Sequence, residues 1–133
     1  MDEIVELTQN ERFYAACYQG EVEVAKDSLA KGADLNYRAT NGWTSLHAAC
    51  YSGVLDVVKF LCSKGIDVEV VNLLMQRPLH MAASGGRFEV AQWLCDIMSA
   101  DIKAKTAGGG TAVEIAKHGG HAELAEMLAL RAS

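Results

Sequence analysis

Four cysteines and four histidines are the groups in this 133-residue chain that could serve as nucleophiles, bases or soft metal ligands. They are Cys17, Cys50, Cys62 and Cys95, and His47, His80, His118 and His121. A catalytic thiol needs a base beside it, and a zinc site needs ligands that converge from one turn or face. Neither pattern is present. Only His118 and His121, beside Lys117, sit close enough in sequence to form a polar set. Gly108-Gly109-Gly110 has the composition of a phosphate loop, but no Gly-Lys-Ser/Thr follows it and no strand precedes it. No catalytic residue, cofactor or metal site is therefore expected, and the chain does not read as an enzyme.

The elements that carry these residues come in copies. Leu46-His47-Ala48-Ala49-Cys50 recurs 33 residues later as Leu79-His80-Met81-Ala82-Ala83 and 33 residues earlier as Phe13-Tyr14-Ala15-Ala16-Cys17. After a one-residue slip the frame returns as Val113-Glu114-Ile115-Ala116-Lys117. A glycine follows each copy at Gly20, Gly53, Gly86 and Gly120. One unit, Asn41 to Asn72, reads as turn, short helix, tight turn, longer helix and loop. So short a segment cannot bury its apolar faces alone and needs neighbours of the same kind.

A period of 33 residues with a turn and two helices per unit is the signature of ankyrin repeats. Thr44-Ser45-Leu46-His47-Ala48-Ala49 and Arg77-Pro78-Leu79-His80-Met81-Ala82 resemble that family's Thr-Pro-Leu-His-x-Ala core. The fold expected is all-α: a solenoid of four stacked helix-turn-helix units with protruding hairpin-like loops. The expected boundaries are residues 1–38 for the N-terminal cap, 39–71 and 72–105 for the middle units, and 106–133 for the C-terminal cap. In length and layout the chain resembles small free-standing members of the family, some of which inhibit or help assemble larger complexes.

The repeat frame also disposes of the cysteines. Cys17 and Cys50 occupy one repeat position, and Cys62 and Cys95 another. Equivalent positions on stacked helices lie about 8–10 Å apart, whereas a disulfide needs Cα atoms within about 7 Å. They read as small apolar core residues kept reduced. His47 and His80 fall inside the framework motif, where a histidine ties the turn to its helix.

Composition narrows the partners. A net charge of −5 argues against binding nucleic acid by neutralising phosphates. No apolar run approaches the roughly 20 residues of a membrane span. The acidic start Met1-Asp2-Glu3 lacks the basic and apolar parts of a signal peptide. A cytoplasmic or nuclear protein, monomeric and binding another protein, is the expectation.

Local signals set the helix ends. Thr8 with Glu11 forms a capping box that starts the first helix near Gln9. Second helices are expected near residues 22–31, 55–63 and 122–131, with Val22, Ala25 and Leu29, then Leu55, Val58, Leu61 and Cys62, then Leu124, Met127 and Leu128 facing inward. Repeat three departs from pattern twice. Met75 stands where the finger glycine belongs, flanked by Leu73 and Leu74, so the turn must be strained or altered. The stretch after Cys95 is one residue longer than its counterpart after Cys62, which predicts an extra turn or bulge in that helix.

Framework residues are committed to stacking, which leaves a row free to recognise something. Those residues are Tyr18 in the first unit, and Arg38, Thr40, Asn41, Trp43, Tyr51 and Ser52 in the second. The third contributes Leu73, Leu74, Met75, Gln76 and Ser84, and the fourth Lys105 and His118. The resemblance implies that partners bind on the concave finger-and-palm side. Trp and Tyr are enriched among residues that dominate interfaces, so Trp43, Tyr51 and Tyr18 are the expected anchors together with the Leu73–Met75 tip, unless Trp43 packs sideways onto the next finger. An apolar tip is either such a contact or a local fold-back, and it leaves open a homodimer formed through the tip.

Overall fold

The computed structural model describes residues 6–133; the acidic start Met1-Asp2-Glu3 lies outside them. The described residues form eight α-helices in four antiparallel pairs, with no strand among them. The pairs are α1 (Gln9–Gln19) with α2 (Val22–Ala30), and α3 (Ser45–Ser52) with α4 (Leu55–Ser63). Next come α5 (Pro78–Gly85) with α6 (Phe88–Asp96), and α7 (Ala112–His118) with α8 (Ala122–Ala132).

Short polar signals start the first helix of each pair. Thr8 N donates to Glu11 Oε1 (3.2 Å) and Glu11 N donates to Thr8 Oγ1 (3.1 Å), which satisfies two amides at the start of α1. Thr44 caps α3 in the same way, with His47 in the place of the glutamate. Thr111 caps α7 through Glu114 N at 3.4 Å. Left-handed glycines stop the first three of these helices, Gly20 after α1, Gly53 after α3 and Gly86 after α5. At Gly53, φ is 82°, and its amide closes on Ala49 O at 2.9 Å.

First helices pack in one row, α1 on α3 on α5 on α7, and second helices in another, α2 on α4 on α6 on α8. Alanines let the first row approach closely. Ala16, Ala48, Ala49, Ala82, Ala83, Ala112 and Ala116 are all buried, interleaved with Phe13, Leu46, Leu79 and Met81. Since α3 lies between α1 and α5, every residue from Ser45 to Cys50 is buried. The core is thus a continuous seam shared between neighbours, and no single pair encloses it.

Two local expectations are corrected. Val57 joins Val58 and Leu61 inside α4, while Leu55 and Cys62 are only half-buried. The helix packs on α3 and also touches α2 and α6, so its covered arc is rotated from the one expected. Nor does the longer stretch after Cys95 lengthen its helix: α4 and α6 have nine residues each. The extra residue widens the following loop. Ala100 N closes on Leu94 O (3.0 Å), whereas Ile66 N closes on Leu61 O (3.4 Å), one residue nearer in sequence. Ser99, at φ 55°, takes the left-handed place that Gly65 holds in the preceding unit.

Candidate partner-binding surface

Between successive pairs the chain projects a finger, its tight turn closed at the base by a backbone bond. The bonds are Ala39 N to Trp43 O (2.7 Å), Asn72 N to Gln76 O (3.1 Å) and Thr106 N to Gly110 O (3.0 Å). One further bond joins each finger to the next: Leu73 N to Asn41 O (3.0 Å), and Ala107 N to Leu74 O (2.9 Å).

The framework histidines lock this row. His47 Nδ1 accepts from Thr44 N (3.1 Å), which fixes the proton on Nε2, and Nε2 donates to Gln76 O (2.8 Å) on the following finger. His80 repeats the arrangement, accepting from Arg77 N (2.9 Å) and donating to Ala104 O (2.9 Å). Burial holds both imidazoles below their ordinary range, hence neutral. The bond from turn to helix was readable in the sequence. The reach across to the next finger was not, because it depends on how the units stack.

The residues expected to be free fall into three groups. The first is engaged in the fold. Arg38 donates to Gly42 O (3.1 Å) and Val71 O (2.7 Å), so its guanidinium clamps two fingers. Gln76 Oε1 accepts from Asn72 Nδ2 at 2.7 Å, and Ser52 Oγ turns back to Ala48 O at 3.0 Å. The second group borders an open depression of about 510 Å³, where Ser84 and His118 meet Gly108–Gly110. His118 Nδ1 donates to Glu114 O (2.8 Å), and the Glu114 carboxyl on the same rim would repel a phosphate. Lys105, Thr40 and Asn41 are exposed.

The third group is aromatic and aliphatic. Trp43 is half-buried, its ring edge-on to Tyr51 at 5.7 Å and 6.2 Å from the His47 ring. Tyr18 and Tyr51 are exposed on successive first helices. The finger tip Leu73-Leu74-Met75 stands out in solvent at 77, 57 and 48 % exposure, with no fold-back over it. Met75 has φ 58°, in register with Gly42 at 75° and Gly109 at 86°. The finger demands a left-handed residue there, and this one unit supplies it with a methionine. Asn72 stabilises the turn, its Oδ1 accepting from Leu74 N and Gln76 N at 3.0 Å each.

Nothing comparable assembles around the thiols. All four are free, and burial pushes Cys17 up to about 12, Cys62 and Cys95 to about 11, and Cys50 well above its ordinary value. Among the described residues no three His, Cys, Asp or Glu side chains group as metal ligands. None of the helices described is long and apolar enough to cross a membrane.

Helix pairs stacked in two rows, with histidine-locked fingers along one edge, define a helical repeat solenoid. A family model described as ankyrin repeats (3 copies) matches residues 12–106, and the chain belongs to the ankyrin-repeat family. A search of curated proteins returned no significant match. Ankyrin repeats are in general non-enzymatic modules of protein–protein interaction.

Proposed function

We propose that this chain is a non-catalytic binding module that recognises another protein through its finger row and the adjoining faces of α1 and α3. The observation that carries the reading is the third finger. Three neighbouring apolar side chains are exposed at its tip, and one of them occupies a strained backbone position that glycine fills in the other fingers. Exposed apolar surface and backbone strain both oppose folding, and together they mark a place kept for contact. The Trp43–Tyr51 pair and Tyr18 supply rigid aromatic area beside it. The partner is a protein, bound without a cofactor. Free thiols throughout fit a reducing cytoplasmic or nuclear setting.

The test is affinity capture from the native cell with the wild-type chain, with Leu73→Ser/Leu74→Ser, and with Trp43→Ala/Tyr51→Ala, each checked for native helicity. Selective loss of the same proteins by both folded double variants is expected. Equal capture by all three would overturn the reading. Sedimentation of the pure chain separates the remaining case: a dimer dispersed by Leu73→Ser/Leu74→Ser would make a second copy the occupant of the tip.

A further inference from the structure

The second-helix row carries a groove that shares no residue with the finger surface. It lies between α2 and α4, has a volume of about 530 Å³, and is lined by Lys26, Leu29, Ala30, Leu35, Phe60 and Lys64. Its floor is aliphatic and aromatic. Among the described residues, the charges that line it are two ammonium groups, in a chain whose net charge is −5. Lys26 Nζ lies 5.7 Å and Lys64 Nζ 5.8 Å from the centroid of the Phe60 ring, within cation–π range of a single aromatic group.

We propose that this groove binds an acidic peptide segment, one apolar side chain seated against Phe60 and flanking carboxylates held by Lys26 and Lys64. Two like charges gathered over one ring repel each other, and a carboxylate placed between them relieves that repulsion. Lys64 has no ion-pair partner among the described residues, so its charge is available. Lys26 meets Glu23 at 3.4 Å, but Glu23 is 87 % exposed, and such a solvent-screened pair exchanges readily for another carboxylate. The apolar floor supplies what a bare anion would not use, and the concave shape suits a side chain better than a flat membrane.

The next groove along is a built-in contrast. Between α4 and α6, Trp93 holds the place of Phe60 and Ile97 that of Lys64, while Glu89 and Asp96 bring negative charge to the lining. The cleft thus recurs at both junctions, and of the two only that between α2 and α4 is lined by lysines.

The probe is a random heptapeptide display library, selected on the intact chain and counter-selected on Lys26→Glu/Lys64→Glu. Both lysines are exposed, so that variant is expected to fold. Peptides that bind the wild type alone should combine Asp or Glu with a Phe, Leu or Trp, and the charge reversal should weaken a synthetic representative at least about tenfold. Phe60→Leu, which keeps apolar volume without the ring, should weaken it as well. Amide shifts in the nitrogen–proton NMR spectrum should cluster at α2 and α4. Failure to enrich any peptide, enrichment of peptides without acidic residues, or unchanged affinity in Lys26→Glu/Lys64→Glu would each overturn the proposal. So would shifts at the same residues produced only by vesicles of phosphatidylcholine and phosphatidylserine, which would assign the groove to a lipid surface.

Discussion

Replacing Met75 by alanine and, separately, by glycine isolates the strain at the finger tip. Met75 has φ 58° and is 48 % exposed. Alanine removes its side-chain contacts and keeps the left-handed Cβ; glycine removes both. A Cβ in the left-handed region costs about 1–2 kcal/mol. Against this, glycine's greater freedom in the unfolded chain costs about 0.4–1 kcal/mol. Met75→Gly should therefore be more stable than Met75→Ala by about 0.5–1 kcal/mol, a two- to five-fold shift in the folding equilibrium. The converse change, Gly42→Ala, should destabilise by a similar or larger amount. A Cβ on Gly42 would sit 3.2 Å from Leu73 N, and that amide is held by Asn41 O. Guanidinium unfolding followed by far-ultraviolet circular dichroism, with slopes matched across variants, gives the differences directly. A Met75→Gly chain no more stable than Met75→Ala would refute the claim that stacking imposes this backbone conformation. The two variants should lose partner capture alike, since both lack the methionine side chain. Stability and recognition would then separate at a single residue.

Three further outcomes are expected. Ser45→Pro should raise stability by about 1–2 kcal/mol. The buried Ser45 hydroxyl makes no hydrogen bond of ordinary geometry, only drawing down the Cys17 thiol against the larger effect of burial, and Pro78 already fills the equivalent place at the start of α5. A loss of stability by denaturant titration would show that the ring does not fit against Cys17. Acid should weaken the fold before carboxylates titrate. Burial depresses His47 and His80 below the ordinary 6.5, so their contribution is complete above that pH and is lost as the pH falls toward the folded values. The loss runs up to about 1.4 kcal/mol per pH unit for each proton taken up on unfolding. Melting temperatures between about pH 8 and 5 should fall with pH, and less steeply in His47→Gln; a flat profile would contradict the neutral, buried state. Finally, Cys62 and Cys95, at about 11 against the ordinary 9.0, should react with iodoacetamide at neutral pH about tenfold more slowly than free thiols, since the scarcer thiolate is also the more nucleophilic one. A single fast-labelling cysteine would mean that a local opening or a hidden base has been overlooked.

How much could be read beforehand depends on how far each interaction reaches along the chain. Helix starts at Thr8 and Thr44 and the odd residue at Met75 were legible, because a cap or turn involves residues three or four apart. Interactions between units were not. Arg38 looks like a free surface cation in one repeat, and only the following finger supplies Val71 O to bind it. The second bond of His47 escapes for the same reason. Val57 was missed because the covered arc of α4 is set by three neighbours at once. The extra residue after Cys95 is visible in the sequence, but its place in the loop is not. A loop with Ser99 in a left-handed conformation absorbs an insertion more cheaply than an added helical turn, which would displace every contact beyond it. The groove between α2 and α4 left only a faint trace, two lysines four and 34 positions from Phe60.

The fingers are joined to one another by a single main-chain rung apiece, while the first helices behind them pack in a continuous row. Mechanically the two edges differ in stiffness. The helical edge acts as a spine, and the tips, which lie beyond the Arg38 and His47 clamps, are its more pliant ends. A ligand slightly broader or narrower than the resting gap can be gripped for little elastic work. Such compliance lets one surface accommodate a set of related shapes without remaking its core.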